Sequence, residues 1–212
     1  MILNIIRKLI YKYPQSFKYH YYRRLNRLKF KLSGIKFGNN IQLYNKIHLK
    51  ISPTAIFVIG DNFTFSSGNA YNPICRNIEG CIYVSKGACL IIGNNVGISS
   101  ACIWVNKSIT IGDNVKIGGD CIIMDTDAHN LNYNIRNSNE LNENGELIDA
   151  ITAKNAPIII EDDVLIGARC ILLKGITIGA RSVIGAGSVV TSSIPSNTIA
   201  AGNPCRIIRK IE

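Results

Sequence analysis

Aliphatic residues recur at every sixth position in the last third of the chain. Six successive positions follow this spacing without a miss: Ile160, Ile166, Leu172, Ile178, Ile184 and Val190. A period of six differs from the helical period of about 3.6 residues and from the two-residue period of an ordinary strand. It is typical of a hexapeptide solenoid, in which each unit is a short strand followed by a turn. The pattern therefore predicts an all-β fold, a triangular parallel β-helix with three units in each coil.

Most of these aliphatic residues are followed, four positions later, by a small residue. Ile176 is a large exception; the small ones are Val164, Cys170, Ser182 and Ser188. We expect this residue to point inward near a corner, where little volume remains. Residues 92–98 and 111–123 repeat the unit, with Gly-Asn-Asn and Gly-Asp-Asn at the turns. Asn and Asp tolerate the left-handed backbone conformation found in tight turns, which fits corners at these triplets.

Three of the seven cysteines fall at the same small inward position. They are Cys102, Cys121 and Cys170, each four residues after an aliphatic residue. A cysteine at such a position acts as a small hydrophobic side chain. The number of cysteines is odd and no Cys-x-x-Cys motif occurs. We therefore predict neither a disulfide framework nor a metal site.

The six-residue phase is lost between Ile123 and Ile160, where the chain becomes polar and rich in asparagine. A long polar excursion from a rigid scaffold is a frequent location of functional residues. Of the three histidines, His129 alone lies where a strand gives way to this loop, within the sequence DTDAH. Imidazole is a natural general base near neutral pH. His129 is therefore a candidate catalytic base, with a solvated loop histidine as the alternative.

Positive charge is concentrated at the N-terminus. Residues 1–36 contain ten Lys or Arg and no acid, so the net charge of +10 belongs to this segment. Residues 2–12 and about 15–31 are predicted helices, separated near Pro14; the apolar face of the first comprises Ile2, Ile5, Ile6 and Leu9. We prefer the interpretation that this apolar face caps the open end of the solenoid. The basic face would suit an anionic membrane or an acidic polymer, whereas no nucleic-acid motif accompanies it.

The predicted organisation has three parts. They are a basic N-terminal helical segment over residues 1–36, a β-helix over 37–203 with an inserted loop at about 124–158, and a tail over 204–212. No apolar run is long enough to predict a transmembrane helix. The N-terminus lacks a small-residue cleavage site, which argues against a signal peptide. We therefore expect a cytoplasmic location. The basic segment adds the expectation of peripheral association with the inner face of the membrane.

The repeats, the histidine-bearing loop and the C-terminal sequence together resemble the hexapeptide-repeat O-acetyltransferases. This family includes galactoside, maltose, capsule and exopolysaccharide acetyltransferases. The C-terminal match runs from Ile184 to Arg209 and contains AAGNPCRIIR, and the whole resemblance covers about residues 37–211. It implies a left-handed β-helix, a homotrimer, and acetyl-CoA in a groove between neighbouring subunits, with no metal.

The resemblance also implies roles for individual residues. His129 matches the catalytic base, and Asp127, a loop acid such as Glu143 or Glu146, or a backbone carbonyl would orient it. The positions that line the coenzyme are Leu165, Ala168, Ala186, Thr191, Ser192, Arg206 and Arg209. Relatives often have Trp at the first of these positions and Lys at the fifth, so the details of coenzyme binding differ in this chain.

Two residues are implicated in binding the acceptor. Asn106 matches a position that relatives use to bind the acceptor sugar. Trp104, the only tryptophan, lies six residues after Ile98 and would begin a repeat unit. Two interpretations of Trp104 stay open: a core position, which we prefer, and an outward surface on which a sugar stacks.

These observations predict an acetyl-CoA-dependent O-acetyltransferase that modifies a sugar hydroxyl of a surface polysaccharide or its precursor by direct transfer. A xenobiotic (antibiotic) acetyltransferase would share the scaffold and the loop histidine. A non-catalytic β-helix scaffold would bind no acetyl-CoA. A carbonic anhydrase of the hexapeptide type needs three clustered histidines, and His20 is expected to lie off the solenoid, which argues strongly against it.

Overall fold

The computed structural model describes residues 2–8, 10, 13–68 and 78–212. Its main body is a three-sided parallel β-helix, in which each coil adds one strand to each of three sheets. We call the sheets faces A, B and C in the order in which the chain visits them. The first three coils contain β1 (Lys36–Phe37), β2 (Gln42–Tyr44), β3 (His48–Ile51), β4 (Ile56–Ile59), β5 (Thr64–Ser66), β6 (Cys81–Val84), β7 (Cys89–Ile92), β8 (Gly97–Ser99) and β9 (Cys102–Val105).

Three further coils complete the solenoid. They contain β10 (Ser108–Ile111), β11 (Lys116–Ile117), β12 (Ile122–Met124), β13 (Ile158–Ile160), β14 (Leu165–Ile166), β15 (Ile171–Leu172), β16 (Thr177–Ile178), β17 (Val183–Ile184) and β18 (Val189–Val190). Face B is extended by β19 (Thr198–Ala201), and β20 (Arg206–Lys210) pairs antiparallel to β19 at its edge. The predicted loop is inserted between β12 and β13 and contains two short helices, α3 (Tyr133–Arg136) and α4 (Ile148–Ile151).

The core consists of the residues that the six-residue spacing selects. All six aliphatic residues from Ile160 to Val190 are at most 1% exposed. The residues four positions later are buried as well, including the polar Ser182 and Ser188. Parallel pairing in register places Ile166 between Ile117 and Ile184 of the neighbouring coils. The structure therefore confirms the predicted β-helix and its inward-facing positions.

The corner between faces A and B has a left-handed backbone in successive coils, with φ between +57° and +60° at Asn62, Asn95, Asn114 and Asp163. The side chains at this corner form a ladder of hydrogen bonds of 2.9–3.0 Å from one coil to the next. An amide can donate to the coil on one side and accept from the coil on the other. Asparagine thus serves both the backbone conformation and the stacking of coils.

One repeat unit is a residue shorter than the sequence pattern suggested. Ile103 follows the buried Ile98 by five positions instead of six, because Ser100 turns the chain with φ of +42° and Ala101 takes the small inward position. Cys102 and Trp104 consequently point outward on β9. The inward position predicted for Cys102 and the preferred core position of Trp104 are both wrong. Cys121 and Cys170, at 1% and 0% exposure, occupy the core as predicted.

The N-terminal segment forms α1 (Ile2–Arg7) and α2 (Tyr13–Leu32). Leu9 and Lys12 lie outside the described residues. Pro14 lies in the first turn of α2, where the absent N–H has no helical partner to lose. The expected capping by the apolar face of the first helix is wrong, because Ile5 and Ile6 are about half exposed (51% and 47%). The first coil is capped by α2 instead.

The cap is formed by one face of α2. Asn26 and Phe30 are fully buried, and Asn26 Nδ2 donates a 2.7 Å hydrogen bond to the carbonyl of Asn45. The Phe30 ring lies 6.2 Å from that of Phe37, and the Tyr19 ring stacks on Tyr44 at 5.1 Å. Within the described part of the chain, neither helix of this segment combines the length and apolarity needed to cross a bilayer.

Candidate active site

The insertion is anchored to the solenoid by a buried carboxylate at its first residue. Asp125 is fully buried, and its two oxygens accept hydrogen bonds from the backbone amides of Asn106 and Lys107 at 2.7 and 2.8 Å. A carboxylate that accepts two amide hydrogen bonds offsets much of the free energy lost on desolvation. The amide of Ala156, at the far end of the insertion, donates to the Asp125 carbonyl at 3.0 Å. Both ends of the insertion are therefore fixed to one corner of the coil.

A histidine–carboxylate pair lies just beyond this anchor. His129 Nδ1 is 2.5 Å from Asp149 Oδ2, and the Asn130 amide donates to Asp149 Oδ1 at 2.7 Å. Asp149 is 9% exposed in α4, whereas the His129 side chain is 66% exposed. The hydrogen bond with His129, helped by that from Asn130, holds the pKa of Asp149 below its usual value against the opposing effect of burial.

This pairing determines which nitrogen of His129 is available for chemistry. A carboxylate that accepts from Nδ1–H leaves the lone pair on Nε2 in the neutral ring. Among the described residues, Nε2 has no hydrogen-bond partner. The ring is therefore held in position on one side and exposed to solvent on the other. This arrangement is suited to a general base.

The carboxylate that contacts His129 differs from those the sequence suggested. The expectation that Asp127 orients His129 is corrected, because Asp127 Oδ1 forms an ion pair with Lys174 Nζ instead. Lys174 follows β15 one coil away, so this pair ties the insertion to the next coil. Glu143 and Glu146 are exposed, and Glu146 accepts a hydrogen bond from Asn142.

Asp149 was missed because it lies twenty positions further along the loop than His129. One local signal was available in the sequence. Asp149 is the only acid of the insertion that lies within an apolar run, Leu147-Ile148-Asp149-Ala150-Ile151. An acid in such a run is either a helix start or a buried partner, and here it is both.

A cavity of about 490 Å³ opens next to the histidine loop on the outside of face C. Its lining includes both predicted acceptor residues and the neighbour of His129: Tyr83, Ser85, Lys86, Trp104, Asn106, Ala128, Glu146, Ala150, Ile151 and Asn155. Trp104 and Tyr83 are stacked with their centroids 5.9 Å apart. Asn106 Oδ1 accepts hydrogen bonds from Trp104 Nε1 at 3.0 Å and from the Ser85 hydroxyl. Trp104 therefore points outward into the cavity, and its stacking against a sugar stays a prediction.

One lining residue carries an unsatisfied acceptor. Asn155 Oδ1 is buried and has no hydrogen-bond partner among the described residues. A buried acceptor without a partner is unfavourable, and a ligand hydroxyl would relieve it. The cavity thus combines an aromatic surface with polar groups, which is the usual composition of a small-molecule site.

The residues predicted to line the coenzyme lie on two separate edges of the coil. Leu165 is about half exposed on face B, and Ala168 and Ala186 follow it at the corner between faces B and C. Their coils stack closely, because a Cβ on Gly167 would lie 2.5 Å from the Ala186 backbone nitrogen. Arg206 and Arg209 are exposed on β20, beside face B.

The other edge carries the remaining two residues. Thr191 and Ser192 are exposed after β18, at the corner between faces C and A. The insertion with His129 leaves the solenoid at this same corner, after β12. A single chain therefore keeps the two groups of predicted coenzyme residues on different edges. Among the described residues, no group of three His, Cys, Asp or Glu side chains could hold a metal ion.

Comparison with known proteins identifies the repeats. Residues 157–192 match a family model described as the hexapeptide repeat of succinyl-transferase. Galactoside O-acetyltransferase of Escherichia coli (strain K12) is 38% identical over 135 residues, which cover 63% of this chain and 60% of that protein. The repeats of this chain are thus of the hexapeptide type, and over the matched stretch the chain is homologous to galactoside O-acetyltransferase. It spans about 60% of the length of this curated relative.

Solved structures of similar acetyltransferases share the fold. A maltose O-acetyltransferase from Clostridium difficile 630 superposes with a TM-score of 0.53 at 27% identity, covering 94% of this chain and 89% of that one. A hexapeptide-repeat acetyltransferase from Vibrio cholerae O1 biovar eltor, complexed with acetyl-CoA, has a TM-score of 0.53 at 27% identity and covers 89% and 78%. These relatives support the left-handed β-helix that the resemblance implied.

Proposed function

We propose that this chain is an acetyl-CoA-dependent O-acetyltransferase that modifies a sugar hydroxyl of a surface polysaccharide or its precursor. The observation that carries this proposal is the His129–Asp149 pair beside the cavity of Trp104 and Asn106. A base exposed next to an aromatic and polar cavity suits the activation of a hydroxyl group. The acetyltransferase relatives support the same reaction class.

The reaction follows from the free nitrogen of His129. Nε2 removes the proton from the acceptor hydroxyl as its oxygen bonds to the thioester carbonyl carbon. The carbon–sulfur bond of the tetrahedral intermediate then breaks, and Nε2 donates its proton to the leaving thiolate. Asp149 holds the ring in one tautomer and stabilises the imidazolium that forms between the two steps. The acyl group passes directly to the acceptor, so no nucleophilic side chain is required.

The exposed surface of the C-terminal coils fits coenzyme A. Ala168 and Ala186 leave an open corner for a thin, extended ligand, and Arg206 and Arg209 offer cations to its phosphates. Thr191 and Ser192 lie on the other edge of the coil, and the two edges can border one groove only where two chains meet. We therefore include a homotrimer in the proposal, with the coenzyme between subunits.

A cytoplasmic location completes the proposal, since acetyl-CoA is a cytoplasmic metabolite. The basic N-terminal segment would there contact an anionic partner, either an acidic polymer or the inner face of the membrane. It lies on the first coil, at the opposite end of the solenoid from Arg206 and Arg209.

The decisive experiment follows release of the coenzyme thiol from acetyl-CoA in the presence of a panel of sugars, oligosaccharides and antibiotics. We expect turnover with a sugar acceptor and a loss of roughly two to four orders of magnitude in kcat for His129→Ala. Glu143→Ala is the matched control, because Glu143 is an exposed acid of the same insertion. Near wild-type turnover of His129→Ala would overturn the proposed base. Turnover with antibiotics alone would favour a xenobiotic acetyltransferase.

A further inference from the structure

The face of α2 that points away from the solenoid is apolar and exposed. Phe17, Tyr21, Leu28 and Leu32 are 76%, 53%, 53% and 79% exposed. Their spacing of four, seven and four residues places them within an arc of about 60° at about 100° per residue. Asn26 and Phe30, which cap the first coil, lie on the opposite side of the helix. One face of the helix thus packs against the protein, and a second, apolar face is exposed to solvent.

Basic residues flank this outer apolar face on both sides. Lys18 and Lys29 lie on one side of it, and Arg24 and Lys31 lie on the other, as the helical spacing requires. The first acid in the chain is Asp61. In α1, the side chains of Leu3, Ile5 and Ile6 are also exposed. An exposed apolar stripe bordered by cations is typical of helices that lie in the plane of a membrane interface.

We propose that α2 docks this enzyme on an anionic lipid bilayer, with Phe17, Tyr21, Leu28 and Leu32 inserted among the lipids. A bilayer offers both an apolar phase for these side chains and anionic headgroups for the flanking cations. An acidic polysaccharide would satisfy the cations but would leave the apolar face in water. The helix lies on the membrane and does not cross it, because six Lys or Arg are distributed along its 20 residues.

This arrangement gives the enzyme a fixed orientation. The cap face of α2 holds the first coil, so the solenoid projects from the membrane with its C-terminal coils farthest away. Docking does not depend on the proposed acetyl transfer, since α2 contacts the first coil whereas His129 and Asp149 lie in the insertion between β12 and β13. An inactive protein that binds vesicles would contradict the proposed function alone, and an active protein that binds none would contradict the docking alone.

The test is co-sedimentation of the full chain with vesicles of phosphatidylcholine, alone or mixed with phosphatidylglycerol. We expect binding to the anionic vesicles that weakens as salt rises. The Phe17→Ser, Leu28→Ser, Leu32→Ser variant should lose binding by roughly tenfold or more. Leu131→Ser, Leu141→Ser is the apolar control, because these residues are 70% and 59% exposed in the insertion.

A second variant tests whether the cations beside the apolar face of α2 contribute to vesicle binding. Lys18→Gln, Arg24→Gln, Lys31→Gln should weaken binding to anionic vesicles, whereas Lys107→Gln, Lys154→Gln, Arg169→Gln should not. Circular dichroism and light scattering check that fold and oligomer are kept. The inference fails if the full chain binds no anionic vesicle at low salt or if the serine variant binds as well as the parent. It also fails if that variant has a smaller oligomeric mass, since the face would then join copies of this chain.

Discussion

The regular coils and the insertion are held in place by different interactions. Coils five and six, over residues 158–190, bury an aliphatic side chain at every sixth position and pair in register with their neighbours. The insertion buries little apolar surface: α3 has no buried residue, and α4 buries only Asp149. It is held instead by the carboxylates of Asp125, Asp127 and Asp149, each of which contacts a defined partner.

This difference separates stability from chemistry. Apolar burial is non-directional and supplies stability, whereas hydrogen bonds to carboxylates specify direction. The base of a catalytic site must be held at a definite angle, which favours the second means. The coils therefore serve as a rigid support, and the polar insertion positions His129 upon it. Substitutions should affect stability in the first region and turnover in the second.

The largest effect on stability is expected in the coils. Ile166→Ala should lower the free energy of unfolding by about 2–5 kcal/mol, because Ile166 is fully buried between Ile117 and Ile184. Leu141→Ala in the insertion should change it by less than about 0.5 kcal/mol, since Leu141 is 59% exposed. Urea unfolding at one protein concentration measures both values. Equal losses would show that the insertion is part of the cooperative core.

The next effect concerns the carboxylates of the insertion. Asp149→Asn should lower kcat by roughly 10- to 100-fold, because an amide at this position can favour the wrong tautomer of His129 and does not stabilise the imidazolium. Asp127→Asn is the matched control, since its carboxylate contacts Lys174 and not the histidine. Its effect on kcat should stay within about threefold. A larger loss in Asp127→Asn than in Asp149→Asn would reverse our assignment of the orienting residue.

A smaller effect tests whether the C-terminal edge of the solenoid, outside the insertion, also binds substrate. Arg206→Ala, Arg209→Ala should raise the KM for acetyl-CoA by about tenfold with little change in kcat, because this variant removes the two cations that we propose contact the phosphates. Lys210→Ala is the control, as it removes an exposed neighbouring cation of the same strand. Initial rates at varied acetyl-CoA measure both constants. An unchanged KM would assign the phosphate contacts to other residues.

The same contrast explains what the sequence could predict. The coils were predictable because their buried residues recur periodically, and this period is visible in the amino-acid sequence. The shortened unit from Ile98 to Ile103 was not, because its left-handed corner is at Ser100, and serine does not signal such a corner as Asn, Asp or Gly does. This one missing residue moved Cys102 and Trp104 to the outside. His129 was located by the break in the pattern. The apolar run around Asp149 marked that residue as a buried acid, but its pairing with His129 depends on the path of the loop.

The smallest effect is a pH dependence confined to the insertion. The hydrogen bond with His129 lowers the pKa of Asp149, so its carboxylate stabilises the folded insertion above the ordinary carboxyl pKa of about 3.9. That contribution is lost as pH falls through the lower folded-state value, when the unfolded chain already carries the proton. We expect the Asn130 amide resonance, which reports its 2.7 Å hydrogen bond to Asp149, to titrate with a midpoint below about 3.9. In Asp149→Asn this titration should vanish, whereas the pH response of coil amides that donate to other carboxylates, such as that of Asp113, should be the same in both proteins. A midpoint at or above the ordinary value would mean that the His129–Asp149 pair is too weak in solution to fix the base.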